Sequence, residues 1–334
     1  MSTVVETIES HALAGNPLGD PTARRTAIWL PPSYASMVDR RYPVIYWLSG
    51  YAGTGEQLFS GTPWQPGLGD RLDRLVAAGV MGEAIVVAPD CFTRWGGAQY
   101  LDSPALGNYE THVVREVIPS IDARFRTIAA REARAVGGKS SGGFGALVLA
   151  MRHPDLFSAV ASHAGDMYFE LSALPDLPVA ARTLRRHGGV AGFLRHFEAA
   201  EKKDGADFTT IMVLAEAGAY SPDAGRDHGI ALPFDAATGE LDPIVWQRWK
   251  AWDPVEMAAT HAEALRQMKL IFVDAGTRDE HNLDAGARIF VRRLQDLGIP
   301  CEHQEFDDGH RGTAYRYDVS LPKLAAALGA APMG

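Results

Sequence analysis

The chain has 334 residues, 46% hydrophobic and 22% charged, a balance ordinary for a globular protein. Lys and Arg total 32 against 41 Asp and Glu, giving a formal net charge of -9 with no basic block, so no nucleic-acid partner is expected. No run approaches the roughly 18 apolar residues of a membrane helix, and MSTVVETIESHALAG lacks the basic-then-apolar order of a secretory leader. The expected compartment is therefore the cytoplasm, with no membrane partner. The two cysteines, Cys91 and Cys301, are too few for a disulfide framework and are expected as buried thiols.

Short β-branched or aromatic runs predict strands at Thr26–Leu30, Val44–Leu48, Ala84–Ala88, Ala133–Gly137, Ala159–Ser162, Leu270–Val273 and Glu302–Phe306. Several are apolar at almost every position, as strands covered on both faces are. Helical periodicity falls between them. Leu68–Ala78 aligns Leu72, Leu75 and Val76, and Tyr109–Phe125 aligns Val113, Val117 and Ile121 with Pro119 interrupting. Leu283–Leu297 repeats the period and stops at Gly298 as a helix C-cap. Alternating strand and helix predicts one α/β domain over residues 1–334, with a mostly parallel central sheet flanked by helices.

From Asp166 to Gln267 no buried strand is expected, only helical pieces and a Gly/Pro/Asp-rich loop. A connection of that length is an insertion, read either as a subdomain packed on the sheet or as a cap over a pocket. Trp246, Trp249 and Trp252 cluster at its end. The acidic residues Asp235, Glu240 and Asp242 do not follow a calcium-loop pattern and are read as a solvated loop, so no metal is expected.

The segment ARAVGGKSSGGFGAL carries the strongest chemical signal. A predicted strand runs into Gly138-Lys139-Ser140-Ser141-Gly142, which fits G-x-S-x-G, and small residues then open a helix. A serine on such a sharp strand-to-helix turn needs glycine two positions either side, where side chains would strike the neighbouring strand and helix. Gly138-Lys139-Ser140 could also end a P-loop, but the glycine required five residues earlier is Ala133, and the intervening residues form the strand. The reading is therefore a nucleophile elbow in an α/β-hydrolase fold.

A serine nucleophile needs a base and a carboxylate to orient it, and in this fold the carboxylate and then the histidine follow the serine, on loops after later strands. His310 closes Asp307-Asp308-Gly309-His310, just past a strand, and is the expected base. Asp279, in DAGTRDE, is the expected acid. Asp166 is the alternative acid, Asp274 is expected in the strand end bonding backbone, and Glu280 is expected to point elsewhere. The amides of Ser141 and Tyr51, the latter in the turn Leu48-Ser49-Gly50-Tyr51-Ala52-Gly53, are the expected oxyanion donors. Gly50 and Trp95 are expected to contact substrate, with the Phe92–Gly97 loop and the insertion shaping the pocket.

With those residues in view, the chain resembles the putative-esterase group of α/β-hydrolases, which includes S-formylglutathione hydrolase, enterochelin esterase-like enzymes, feruloyl and acetyl esterases, and mycolyltransferases. The resemblance runs through TAIWLPPSY, YPVIYWLSGYAGTGEQ, GGKSSGGFGAL, VDAGTRDE and DDGHRG. It implies a Ser140–His310–Asp279 triad, oxyanion donors at Tyr51 and Ser141, and no cofactor. The expected substrate is a small-molecule ester cleaved through an acyl-enzyme. Acyl transfer of the mycolyltransferase type and hydrolysis of S-formylglutathione stand as alternatives. Lys139 and Ser141 flank the serine where S-formylglutathione hydrolases usually carry His and Met. A homo-oligomer is left open.

Overall fold

The β-branched runs form the frame on which everything else is hung. The structure, a computed structural model, describes residues 3–330. Its strands are β1 (Thr3–Glu9), β2 (Ala23–Trp29), β3 (Val44–Leu48), β4 (Ile85–Ala88), β5 (Asp102–Ser103), β6 (Gly107–Asn108), β7 (Arg134–Lys139), β8 (Ala159–His163), β9 (Leu270–Gly276) and β10 (Glu302–Phe306). β5 and β6 pair alone, and the other eight make one sheet in the order β1-β2-β4-β3-β7-β8-β9-β10. β2 is antiparallel to both neighbours, and every pairing from β4 to β10 is parallel.

Side-chain alternation explains why the central strands are apolar throughout. In β3, Val44, Tyr46 and Leu48 enter one core cluster while Ile45 and Trp47 enter the other. Helices Leu68–Ala77 and Tyr317–Ala327 cover the Trp47 face. Helices Ser141–Arg152 and Leu283–Asp296 cover the opposite face.

The structure adds to the sequence reading in particular places. β1 has no counterpart in it, because this edge strand buries only Ile8 fully and reads as polar. β2 starts earlier than expected, with Arg24 buried and donating to the Phe92 carbonyl at 2.8 Å. The helix expected over Tyr109–Phe125 is divided. A π-helical segment, His112–Val117, widens the turn before Pro119, which then sits in the first turn of Ile118–Arg124, where its missing N–H costs little.

Between β8 and β9 the described residues contribute no strand to either sheet. They form helices Phe169–Ser172, Leu177–Arg186, Val190–Ala199, Gly205–Tyr220, Pro243–Lys250, Pro254–Thr260 and Ala262–Arg266. Trp249 is buried among them, stacked edge-on to Tyr220 at 5.3 Å and donating to Ser221 Oγ at 2.8 Å. The tryptophan cluster thus packs this region. Asp242 caps the helix at Pro243 by accepting from the Ile244 and Val245 amides. Both cysteines are free thiols; Cys91 is buried and Cys301 half-buried, and burial pushes the Cys301 thiol up to about 12. No helix among the described residues is long and apolar enough to cross a membrane.

Candidate active site

The elbow follows from local geometry. β7 ends at Lys139 and the helix begins at Ser141, leaving Ser140 to turn the chain with φ 57° and ψ -129°, a conformation costly for a residue with a side chain. A Cβ on Gly138 would lie 2.6 Å from the Leu48 carbonyl oxygen, and one on Gly142 would collide with that same oxygen. The glycines of the motif are therefore where strand β3 and the helix press against the turn. The Ser140 N–H donates to the His163 carbonyl at 2.9 Å, tying the turn to the end of β8.

Three separate strand ends then converge. His310, just beyond β10, lies with Nε2 at 3.1 Å from Ser140 Oγ and Nδ1 at 2.8 Å from Asp279 Oδ2. Asp279 follows β9 and is also held by the His281 amide, which donates to Oδ1 at 2.9 Å. Burial works to raise the Asp279 carboxyl, but the His310 hydrogen bond and charge outweigh it and hold the group below its ordinary range. Asp166 does not orient the histidine. Its Oδ2 accepts from Ser141 Oγ at 3.3 Å, and burial pushes its carboxyl up.

Two expectations are corrected here. Asp274 bonds side chains rather than backbone through its carboxylate: His163 Nδ1 lies 2.6 Å from Oδ1, and Arg316 Nε donates to Oδ2 at 2.9 Å. The cause is register, since His163 and Asp274 are direct partners across the β8–β9 ladder. Trp95 does not reach the cavity beside Ser140. Its ring borders a smaller cleft with Leu18, Ala105 and His228, and its carbonyl accepts from the Tyr51 hydroxyl. Gly50, by contrast, does line the cavity, its Cα so near the elbow that a Cβ would lie 3.4 Å from Ser140 Cβ.

The turn carrying Tyr51 uses its neighbours' amides, Ala52 N–H donating to Gly96 and Gly53 N–H to Gly50. The Tyr51 amide takes no part in those bonds. Ser141 opens its helix, where the first amides have no acceptor within the helix and the dipole favours negative charge. The Phe92–Gly97 loop supports this turn from behind, because a Cβ on Gly96 would lie 2.6 Å from the Tyr51 hydroxyl oxygen.

A cavity of about 500 Å³ opens over Ser140. Its wall on one side is Lys139, His281, His310, Arg311 and Tyr317, and on the other Phe169, Ser172, Ala173, Phe208, Met212, Glu216 and Tyr220. The inserted helices therefore do two things, packing on the core and walling the cavity. The sequence pointed to the insertion as shaping the pocket but named none of these wall residues, and two further features were not anticipated. Glu280 was expected to point elsewhere, yet its Oε2 accepts the His310 N–H at 2.7 Å, and a Cβ on Gly309 would press on its carboxylate. His281 places its ring 4.9 Å from that of His310, edge to face. The glycine of DDGH was the signal available for the first; nothing in the sequence marks the second.

Among the described residues, His187, His196 and Asp207 are the group of ligand-type side chains close enough to share an ion, and they lie outside this cavity. The two imidazoles are stacked at 4.1 Å and 20° from parallel, so their in-plane lone pairs run side by side instead of converging.

The strand order, the elbow after β7, and the carboxylate and histidine after β9 and β10 define an α/β-hydrolase. The family model described as "Putative esterase" matches residues 21–323, and the chain belongs to that family. Esterase Rv1288 of Mycobacterium tuberculosis (strain H37Rv) is 29% identical over 92% of this chain and 57% of its own length. The chain thus spans little more than half of that relative. S-formylglutathione hydrolase of Mus musculus is 29% identical over 69% of this chain and 81% of its own. Among solved structures, a ferulic acid esterase superposes with a TM-score of 0.64 at 23% identity, each chain covered to 98%. S-formylglutathione hydrolase from Agrobacterium tumefaciens gives 0.60 at 17% identity, covering 98% of this chain and 99% of the other. These two likenesses are of fold.

Proposed function

We propose that the chain is a serine carboxylic-ester hydrolase working through an acyl-enzyme. The observation that carries this is the unbroken line Ser140 Oγ, His310 Nε2, His310 Nδ1, Asp279 Oδ2, with spacings of 3.1 and 2.8 Å, at the floor of an open cavity. Ser140 Oγ attacks the ester carbonyl as His310 Nε2 takes its proton, and Asp279 holds the ring and stabilises the imidazolium. The oxyanion forms against the Tyr51 and Ser141 amides, each such donor contributing on the order of 3 kcal/mol. His310 then protonates the departing alcohol. Water attacks the acyl-enzyme by the same route in reverse, and the acid leaves with Ser140 restored.

The family supports this reading, as do the relatives' names, which put thioesters and aromatic esters on the list of substrates to try. The test is Ser140→Ala. Its turnover of 4-nitrophenyl acetate should fall by at least about 10,000-fold, and a fluorophosphonate probe should label the parent chain and not the variant. Parent-like turnover by the variant would sink the assignment. Added alcohols distinguish hydrolysis from transfer, since acyl transfer above the solvolysis ratio would mark a transferase.

A further inference from the structure

Helix Gly205–Tyr220 sends Phe208, Met212, Glu216 and Tyr220 into the cavity, each four residues after the last, so they form one stripe down one face. The stripe begins apolar and ends polar. Phe208 packs edge-on against Tyr51 at 5.4 Å, while the ring of Tyr220 lies 5.2 Å from Phe169. Glu216 is only 7% exposed and Tyr220 only 3%. Among the described residues, neither Glu216 Oε2 nor the Tyr220 hydroxyl has a hydrogen-bond partner, and Ser172 Oγ on the same wall has none either.

Buried polar atoms are almost always paired, and an unpaired one is costly to keep. Several unpaired together, all on the wall of one cavity, are groups arranged for something that enters it. We propose that Glu216 and Tyr220 form a polar subsite that takes an uncharged hydroxyl carried by the substrate, and so select hydroxylated esters over their deoxy counterparts. This rests on the Ser140 reading above.

The chemistry favours a hydroxyl over an ion. Burial, with the Asp166 and Asp176 carboxyls nearby, pushes the Glu216 carboxyl well above its ordinary range and so favours its neutral form. A neutral carboxyl presents one donor and one acceptor, and a phenol does the same. A hydroxyl matches both. A carboxylate placed against Glu216 would sit near the Asp166 and Asp176 carboxyls, with the cavity's cations, Lys139 and Arg311, on the opposite wall, and an ammonium would require Glu216 to ionise where burial opposes it.

The experiment compares kcat/KM for matched ester pairs, with and without a terminal hydroxyl, on a ladder of chain lengths. One series carries the hydroxyl on the acyl group and a second on the alcohol. The parent should prefer the hydroxylated member at some length by about 10- to 100-fold. Glu216→Leu and Tyr220→Phe should each cut that ratio severalfold, whereas Glu216→Gln, which still donates and accepts, should keep most of it. No preference at any length in either series overturns the proposal, as does an undiminished ratio in both Glu216→Leu and Tyr220→Phe. So does a stronger preference for a terminal amine that Glu216→Gln abolishes, which would mark a cation site. Fluorophosphonate labelling of Ser140, run on every protein, separates the two levels. An unlabelled parent defeats the nucleophile assignment, while a labelled parent without preference defeats only the subsite.

Discussion

Two serine–histidine–aspartate arrays stand side by side on neighbouring strand ends. In the one proposed to be catalytic, His310 bridges Ser140 and Asp279 at 3.1 and 2.8 Å. In the other, His163 bridges Ser320 and Asp274 at 2.7 and 2.6 Å. By distance alone the second is the tighter. Yet Ser320 is wholly buried and His163 2% exposed, with Trp47, Phe272 and Tyr317 packed around the imidazole at 5.2 to 5.7 Å. Ser320 lies inside the helix Tyr317–Ala327, without the positive φ that lifts Ser140 off its strand. Arg316 occupies the second oxygen of Asp274. The same three residue types therefore serve as an internal brace in one place and are offered to a cavity in the other. What separates them is access and a strained turn.

The aspartates give the largest contrast. Asp279→Asn should lower kcat by about 10,000-fold by allowing the wrong tautomer of His310, with the fold retained. Asp274→Asn should instead cost about 3 kcal/mol of stability, because Arg316 and His163 lose a buried partner, while turnover per folded molecule changes little. Urea unfolding and steady-state kinetics on both variants check this. Equal kinetic losses would mean that the buried array shares in catalysis.

Gly142→Ala sharpens the difference in backbone. Its methyl would press into the Leu48 carbonyl oxygen, so the elbow must shift. The expected cost is about 2 kcal/mol in stability, accompanied by loss of turnover; a variant as stable and active as the parent would show the turn to be relaxed.

The smallest effect concerns pH. Asp279 is held below its ordinary value, so its contribution to stability is present above the usual carboxyl range and is lost as pH falls through the folded value. Asp176 has the opposite sign. Burial pushes it up to about 6 from 3.8, so its favourable contribution is complete below pH 3.8 and lost as pH rises through about 6. Asp176→Asn should thus stabilise the protein above pH 6 by about 1 kcal/mol after allowing for its partial exposure, and by almost nothing near pH 4. Thermal unfolding at the two pH values decides it. An advantage greater at pH 4 would reverse the sign.

Much of this was legible beforehand because the relevant physics is local. A strained serine turn demands small residues within two positions, and Gly138 and Gly142 supply them in view of any reader of the sequence. Doubly covered strands must be apolar at every position, which made β3 and β4 plain, whereas β1 buries one side at the edge and left no such mark. The cavity wall was not legible. Phe208, Met212, Glu216 and Tyr220 sit on a helix whose other faces are also largely buried, so no periodicity separated the cavity stripe from the core.

The α/β alternation, the elbow at Ser140, and the order in which Asp279 and His310 follow were all written in the chain's local patterns. Those depend on neighbours along the chain. Tertiary structure decided which carboxylate meets which histidine, since parallel register sets His163 opposite Asp274 across 111 residues and leaves Asp279 for His310. It also decided that Trp95 stands behind the Tyr51 turn while Glu216 faces the cavity. Contacts of that range are fixed by how strands stack and helices cross, and no short stretch of residues contains them.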